Sequence, residues 1–149
     1  MLKKNAYQAA IVQVKEKVNL LTRERNIINE GILEDTKSSA GDKFETGREM
    51  MSRDLMNVEN QLKQAKFELD ELYRLQAIKE PSEAIQEGSM VLLGTDKFLL
   101  SVGLGQLNVD GEMLFLLSKN SPLGQSLVGK RLNDQVVFRG SPTTIKEIS

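Results

Sequence analysis

Asp35-Thr36-Lys37-Ser38-Ser39-Ala40-Gly41-Asp42-Lys43-Phe44-Glu45 separates two long apolar seams, and its reading decides the architecture. Residues 35–42 are rich in Thr, Ser, Gly and Asp, which satisfy backbone groups locally or permit positive φ, so a helix is expected to break there. Before the break, Tyr7, Ile11, Val14, Val18, Leu21, Arg25, Ile28 and Ile32 recur in alternating steps of four and three. That spacing keeps one stripe facing a partner helix. After the break, Met51, Leu55, Val58, Leu62, Ala65, Leu69 and Leu72 follow the same rule. No proline interrupts either arm. If the arms fold back, Ile28 falls near Met51, Leu21 near Val58 and Tyr7 near Leu72. The expectation is a monomeric antiparallel coiled-coil hairpin with carboxylates at its tip. Over residues 4–36, at ~1.5 Å per residue, its first arm spans roughly 50 Å. Arg25 interrupts the first seam near Asp54, where a local ion pair is expected.

Composition narrows the chemistry. With 149 residues and a formal net charge of −1, the chain has no global electrostatic reason to coat nucleic acid, so direct DNA or RNA binding is not expected. Cysteine is absent, which removes disulfides and thiolate metal sites and suits a reducing cytoplasm. Histidine is absent too. Carboxylates, lysines and hydroxyls are therefore the available chemistry, and a Ser-His-Asp or Cys-His enzyme is excluded. Met1-Leu2-Lys3-Lys4 opens onto an amphipathic helix, so neither a signal peptide nor a membrane span is expected.

The sequence changes character near residue 80. Pro81 ends the helical periodicity, and residues 80–87 read as a charged linker that leaves room for one more helical turn. Residues 1–79 are then the hairpin and 88–149 a second domain. In the latter, Met90-Val91-Leu92-Leu93 and Lys97-Phe98-Leu99-Leu100-Ser101-Val102 flank the turn Gly94-Thr95-Asp96, which predicts a β-hairpin. Asp110-Gly111 is a tight-turn pair before the apolar strand Met113-Leu114-Phe115-Leu116-Leu117. Ser121 reads as an N-cap with Pro122 at the first helical position, and Gly129 closes that short helix. A last hairpin is predicted from 135–139 and 143–148 around Gly140-Ser141-Pro142. The fold class is α+β, with a small antiparallel sheet and one helix in a domain of about 60 residues, near the lower size limit for independent folding.

Two segments resemble the Gre-type (GreA/GreB) transcript cleavage factors of bacterial RNA polymerase. Gly41-Asp42-Lys43-Phe44-Glu45 is similar to that family's hairpin-tip motif of Gly-Asp, two variable residues and Glu. The stretch from Leu117 to Lys130, with Asn120-Ser121-Pro122, a short helix and Val128-Gly129-Lys130, is similar to its C-terminal signature and is the more specific of the two. The resemblance implies an FKBP-like C-terminal domain that docks at the rim of the polymerase secondary channel. It also implies that Asp42 and Glu45 are the catalytic pair that helps hold Mg²⁺ beside the active site, so that the polymerase cuts its own backtracked RNA. Asn120, Ser121 and Pro122 fall in the signature, and Lys130-Arg131 after the short helix reads either as a contact for an acidic polymerase surface or as a solvated basic pair. Such a factor is an accessory protein, not an enzyme in its own right, and its place is the bacterial cytoplasm.

Other readings compete. Asp42 followed three residues later by Glu45 is also a capping-box pattern. Past Glu45 the family continues with Asn, a small residue, an acid and Tyr, whereas this chain has Thr46, Gly47, Arg48 and Glu49. A channel-binding regulator without cleavage stimulation is the resulting alternative. An FKBP-like fold also suggests a prolyl isomerase, yet Phe98, Phe115 and Phe138 all lie in strands where core packing accounts for them. A coiled-coil adaptor would expose an apolar tip, and this one is acidic. Glu34 and Asp35 add charge beside it.

Overall fold

The computed structural model describes residues 2–37, 45–79 and 82–149, with the side chains of 35–37 and 45–46 outside the description. It is an α+β protein: two long N-terminal helices, α1 (Leu2–Lys37) and α2 (Glu45–Gln76), precede a six-stranded sheet that carries one short helix. The chain divides into two compact units, Met1–Val12 with Asp70–Ser149, and Gln13–Leu69. No helix among the described residues is long and apolar enough to cross a membrane.

In the Gln13–Leu69 unit the heptad positions are the covered ones. Val14, Leu21, Val58, Leu62 and Ala65 are buried, and Val18, Arg25, Ile28, Ile32, Met51, Leu55 and Leu69 are half-buried. Off the stripe, Leu20, Ile27 and Met56 are exposed. The two helices approach closely at one end of the stripe, where a Cβ on Gly31 would stand 3.8 Å from Met51 Sδ. Arg25 is not paired with Asp54 among the described residues; Arg25 is half-buried and Asp54 exposed, so the two do not share the covered side.

The other unit is built around the sheet, whose strands are β1 (Met90–Leu93), β2 (Asp96–Leu100), β3 (Gly105–Val109), β4 (Glu112–Leu117), β5 (Gln135–Phe138) and β6 (Ser141–Ile148), in the spatial order β3-β4-β2-β1-β6-β5. The expected antiparallel sheet is corrected here to a mixed one, because β2 and β4 run parallel, with Phe98 opposite Phe115. The reason lies in strand polarity. β3, which the sequence reading did not assign, exposes Gln106 and Asn108, while β4 buries Leu114 and Leu116. The apolar strand takes the inner place beside β2 and the polar strand takes the edge. Asp110 (φ 54) and Gly111 (φ 81) make the turn between them, the paired positive-φ geometry of a two-residue hairpin.

Two further corrections are local. β2 ends at Leu100, before Ser101 and Val102. The last hairpin turns at Arg139-Gly140 (φ 53 and 80), leaving Ser141 and Pro142 inside β6. Pro142 faces Val137 of β5 only, and β1 joins β6 from Ile145 onward. A proline is tolerated where the ladder continues on one side alone.

Strand alternation gives the sheet two apolar faces. One face gathers Val91, Leu93, Phe98, Leu100, Val136 and Ile145 with Ile85 and Leu127, and Phe115, Phe138 and Leu123 pack against it. Phe98 stacks on Phe115 at 5.3 Å and meets Phe138 edge-on at 5.4 Å, so the three rings are core. Leu99, Leu114 and Leu116 point to the opposite face and are equally inaccessible. The same unit contains Ala6, Tyr7, Ala10, Leu72 and Leu75, also buried. The beginning of α1 reaches the sheet through Asn5 Nδ2, which donates to Asp110 Oδ2 at 2.6 Å. Tyr7 Oη donates to the Gly88 carbonyl at 3.3 Å. Ile145→Ala should therefore cost about 2–5 kcal/mol, whereas Val137→Ala on exposed β5 should change stability by about 0.5 kcal/mol or less; urea denaturation followed by circular dichroism measures both.

Candidate functional site

Two places carry the residues singled out from sequence. The first lies between the long helices. α1 extends to Lys37 and α2 opens at Glu45; Asp42 lies outside the described residues, as does the side chain of Glu45. Just beyond, Gly47 and Arg48 are half-buried. Among the described residues, nothing stands within 4 Å of a Cβ built on Gly47, so no contact with them demands glycine. Among the described residues, no group of three or more acidic side chains is gathered so as to hold a metal.

The second place is the turn that launches α3 (Pro122–Leu127). Ser121 sits in extended backbone (φ −67, ψ 156), and its hydroxyl accepts from the Gly124 amide at 3.1 Å. The same hydroxyl donates to the Ser118 carbonyl at 2.7 Å. Pro122 at the first helical position forfeits no hydrogen bond, since that amide has no partner inside a helix. Ser118 Oγ accepts from the Asn120 amide at 3.1 Å, and Gln125 Nε2 donates to the Asn120 carbonyl at 3.0 Å. With its backbone held from both sides, the turn presents Asn120 and Pro122 to solvent.

Gly124 makes this turn possible. A Cβ on it would overlap the Ser118 carbonyl and stand 2.9 Å from Ser121 Oγ and 3.0 Å from Lys119 Cα. The sequence reading passed over this residue, although a glycine inside a short predicted helix is the signal of a close approach.

An ion network anchors the same turn. Glu87 Oε1 accepts from Lys119 Nζ at 2.8 Å and its Oε2 from Arg74 at 2.9 Å, while Arg74 also pairs with Glu71 at 2.6 Å. The Lys119 hydrogen bond, with Arg74 adding to it, holds the Glu87 carboxyl below its ordinary pKa against the opposing effect of burial. Arg74 does the same for Glu71, and the two carboxylates push Arg74 upward. Sequence spacing gives no access to this network except Glu71–Arg74, an i,i+3 pair.

Lys130 and Arg131 stand at the other end of α3. Their backbone pairs with residues 84–85: the Ile85 amide donates to the Lys130 carbonyl at 2.8 Å, and Ala84 bridges Arg131. Among the described residues of the linker, 82–87, no helix forms. Both basic side chains are exposed, and Arg131 reaches Glu83 at 3.2 Å. The two ends of a six-residue helix lie about 9 Å apart, so the α3 segment carries Asn120, Ser121 and Pro122 at its start and Lys130 and Arg131 just past its end.

No protein-family model matches the chain, and no curated protein matches it either.

Three outcomes follow. Gly124→Ala should destabilise the protein by about 1–3 kcal/mol, the usual cost of overpacking a tight site, read from the urea midpoint. Gly47→Ala should stabilise it by up to about 1 kcal/mol through helix propensity. Because Glu71 and Glu87 hold protons more weakly in the folded chain than at the ordinary 4.5, their contribution is full above that pH and is lost as pH falls through the depressed folded values. Their exposure to solvent keeps that contribution modest. Urea midpoints measured on acidification below about pH 4.5 should fall less steeply for Glu87→Gln than for the parent chain.

Proposed function

We propose that this chain is a bacterial transcription elongation factor of the Gre type, which docks on RNA polymerase at the secondary channel and promotes cleavage of backtracked RNA. In this reading α1 and α2 form an antiparallel coiled-coil hairpin, the sheet and α3 form an FKBP-like docking domain, and the factor works as a cytoplasmic monomer. The covered heptad stripe and the approach of Gly31 to Met51 support the hairpin.

The observation that carries the proposal is the Asn120-Ser121-Pro122 turn. Asn120 and Pro122 are exposed, yet the backbone of the turn is fixed by the Ser121 cap, by Ser118 and Gln125, and by the Lys119–Glu87–Arg74 network. A surface held in one conformation loses little entropy on binding, which is the property a docking epitope needs. Lys130 and Arg131 extend the epitope with positive charge beyond α3.

Asp42 and Glu45 are the carboxylates assigned to the catalytic cavity. Mg²⁺ takes oxygen donors and is commonly held by one or two carboxylates with waters and substrate oxygens, so this pair fits as a supplement to the polymerase's own ligands. When bound, the ion supplies Lewis-acid stabilisation of the phosphodiester under attack. A second reading is favoured by Thr46, Gly47, Arg48 and Glu49, which depart from the family's tip: the chain occupies the channel and modulates initiation or pausing without cutting.

In backtracked complexes with Mg²⁺, the parent chain should shorten the transcript, and the Asp42→Asn, Glu45→Gln double variant should bind polymerase unchanged while cleavage falls on the order of a hundredfold. A parent chain that binds but never cuts selects the second reading. Failure to retain polymerase in a pulldown overturns both.

A further inference from the structure

We propose that the groove between the first turns of α1 and the segment following α2 binds a compact phosphate-bearing small molecule of the pyrophosphate or nucleotide class. The groove lies within the unit that contains the sheet, encloses about 360 Å³, and is lined by Lys3, Lys4, Tyr7, Gln76, Ile78 and Lys79. This site stands apart from the polymerase reading and does not depend on it.

The charge pattern is the first argument. Among the described residues, three ammonium groups and no carboxylate line the groove, in a chain whose net charge is −1. Two lysines that line other grooves are neutralised: Lys97 rests on Glu112 at 3.1 Å and Lys119 on Glu87 at 2.8 Å. Among the described residues, Lys3, Lys4 and Lys79 make no ion pair. The first turn of α1 has no acidic residue either, so the positive end of that helix adds to the same field.

Burial is the second argument. Lys3 is half-buried, and that burial lowers its pKa. Holding an ammonium in partial burial is unfavourable unless an anion compensates it. A bound anion would remove that cost.

The walls define the ligand class. Each ammonium offers three donors and no acceptor, which suits a ligand dense in anionic oxygens, and converging cations match a group that carries several charges in a small volume. The Gln76 amide offers a further donor, while half-buried Ile78 gives apolar surface on which a ribose or base can rest. The volume falls in the range of small-molecule sites, about 300–1,000 Å³.

Isothermal titration calorimetry of the full chain with pyrophosphate and with ATP, against sulfate at matched ionic strength, tests the site. Saturable one-site binding of pyrophosphate or ATP, tighter than sulfate, is expected. Lys3→Gln with Lys79→Gln should weaken it about a hundredfold, roughly tenfold per lost ammonium, with an unchanged melting temperature. If Lys3→Gln disturbs folding, the exposed Lys4→Gln and Lys79→Gln carry the same test. No saturable binding, equal binding of sulfate, or full affinity in the variants would overturn the proposal, as would tighter binding of single-stranded RNA at the same lysines.

Discussion

A long helix in water can hide only one stripe of its surface, and this chain commits that stripe twice, at Val14 and Leu21 in α1 and at Val58, Leu62 and Ala65 in α2. Isolated helices draw little stability from propensity alone, so covering an amphipathic face is what holds such elements in place. The rest of the surface of these helices is then free to be polar, as Glu24, Arg53, Glu59 and Lys63 are. The proposal places its two carboxylates where one helix gives way to the next, Asp42 between them and Glu45 at the start of α2.

A different economy governs the sheet. Its strands alternate so that Phe98 and Leu100 turn to one face and Leu99 to the other, and neither side is left to solvent. The first face is closed by Leu127 of α3 and by Ile85 of the connecting segment. Because α3 is thus pinned from beneath, its entrance turn can be rigid and exposed at once. Ser121 and Gly124 set the geometry of the turn, and Lys119, through Glu87, ties it to Arg74 near the end of α2. Rigidity of a surface turn has a stability cost in lost chain entropy, and the hydrogen bonds around Ser118 and Asn120 offset it.

Much of this was legible in the residues. Heptad spacing located the covered stripe, because periodicity reports which face is removed from water whatever covers it. Turn chemistry located the Asp110-Gly111 hairpin and the Ser121-Pro122 helix start, because both depend on local backbone preferences. What was not legible depends on partners distant in sequence. The place of β4 beside β2 reflects a choice between two strands of different polarity, and β3 with its Gln106 and Asn108 carries a weak strand pattern. Ile85 reads as an isolated apolar residue among charges until Lys130 pairs with it. The Glu87 network joins residues 13 and 32 positions apart, beyond any spacing rule. Gly124 was marked only by its position inside a helix.

The central claim is that this chain delivers Asp42 and Glu45 into the catalytic cavity of RNA polymerase. The most direct test is to place Fe²⁺ in the polymerase active site and map where the hydroxyl radicals it generates cut the bound factor. The account predicts scission confined to the segment joining α1 and α2. An uncut factor, or one cut in its sheet or in α3 instead, would contradict it.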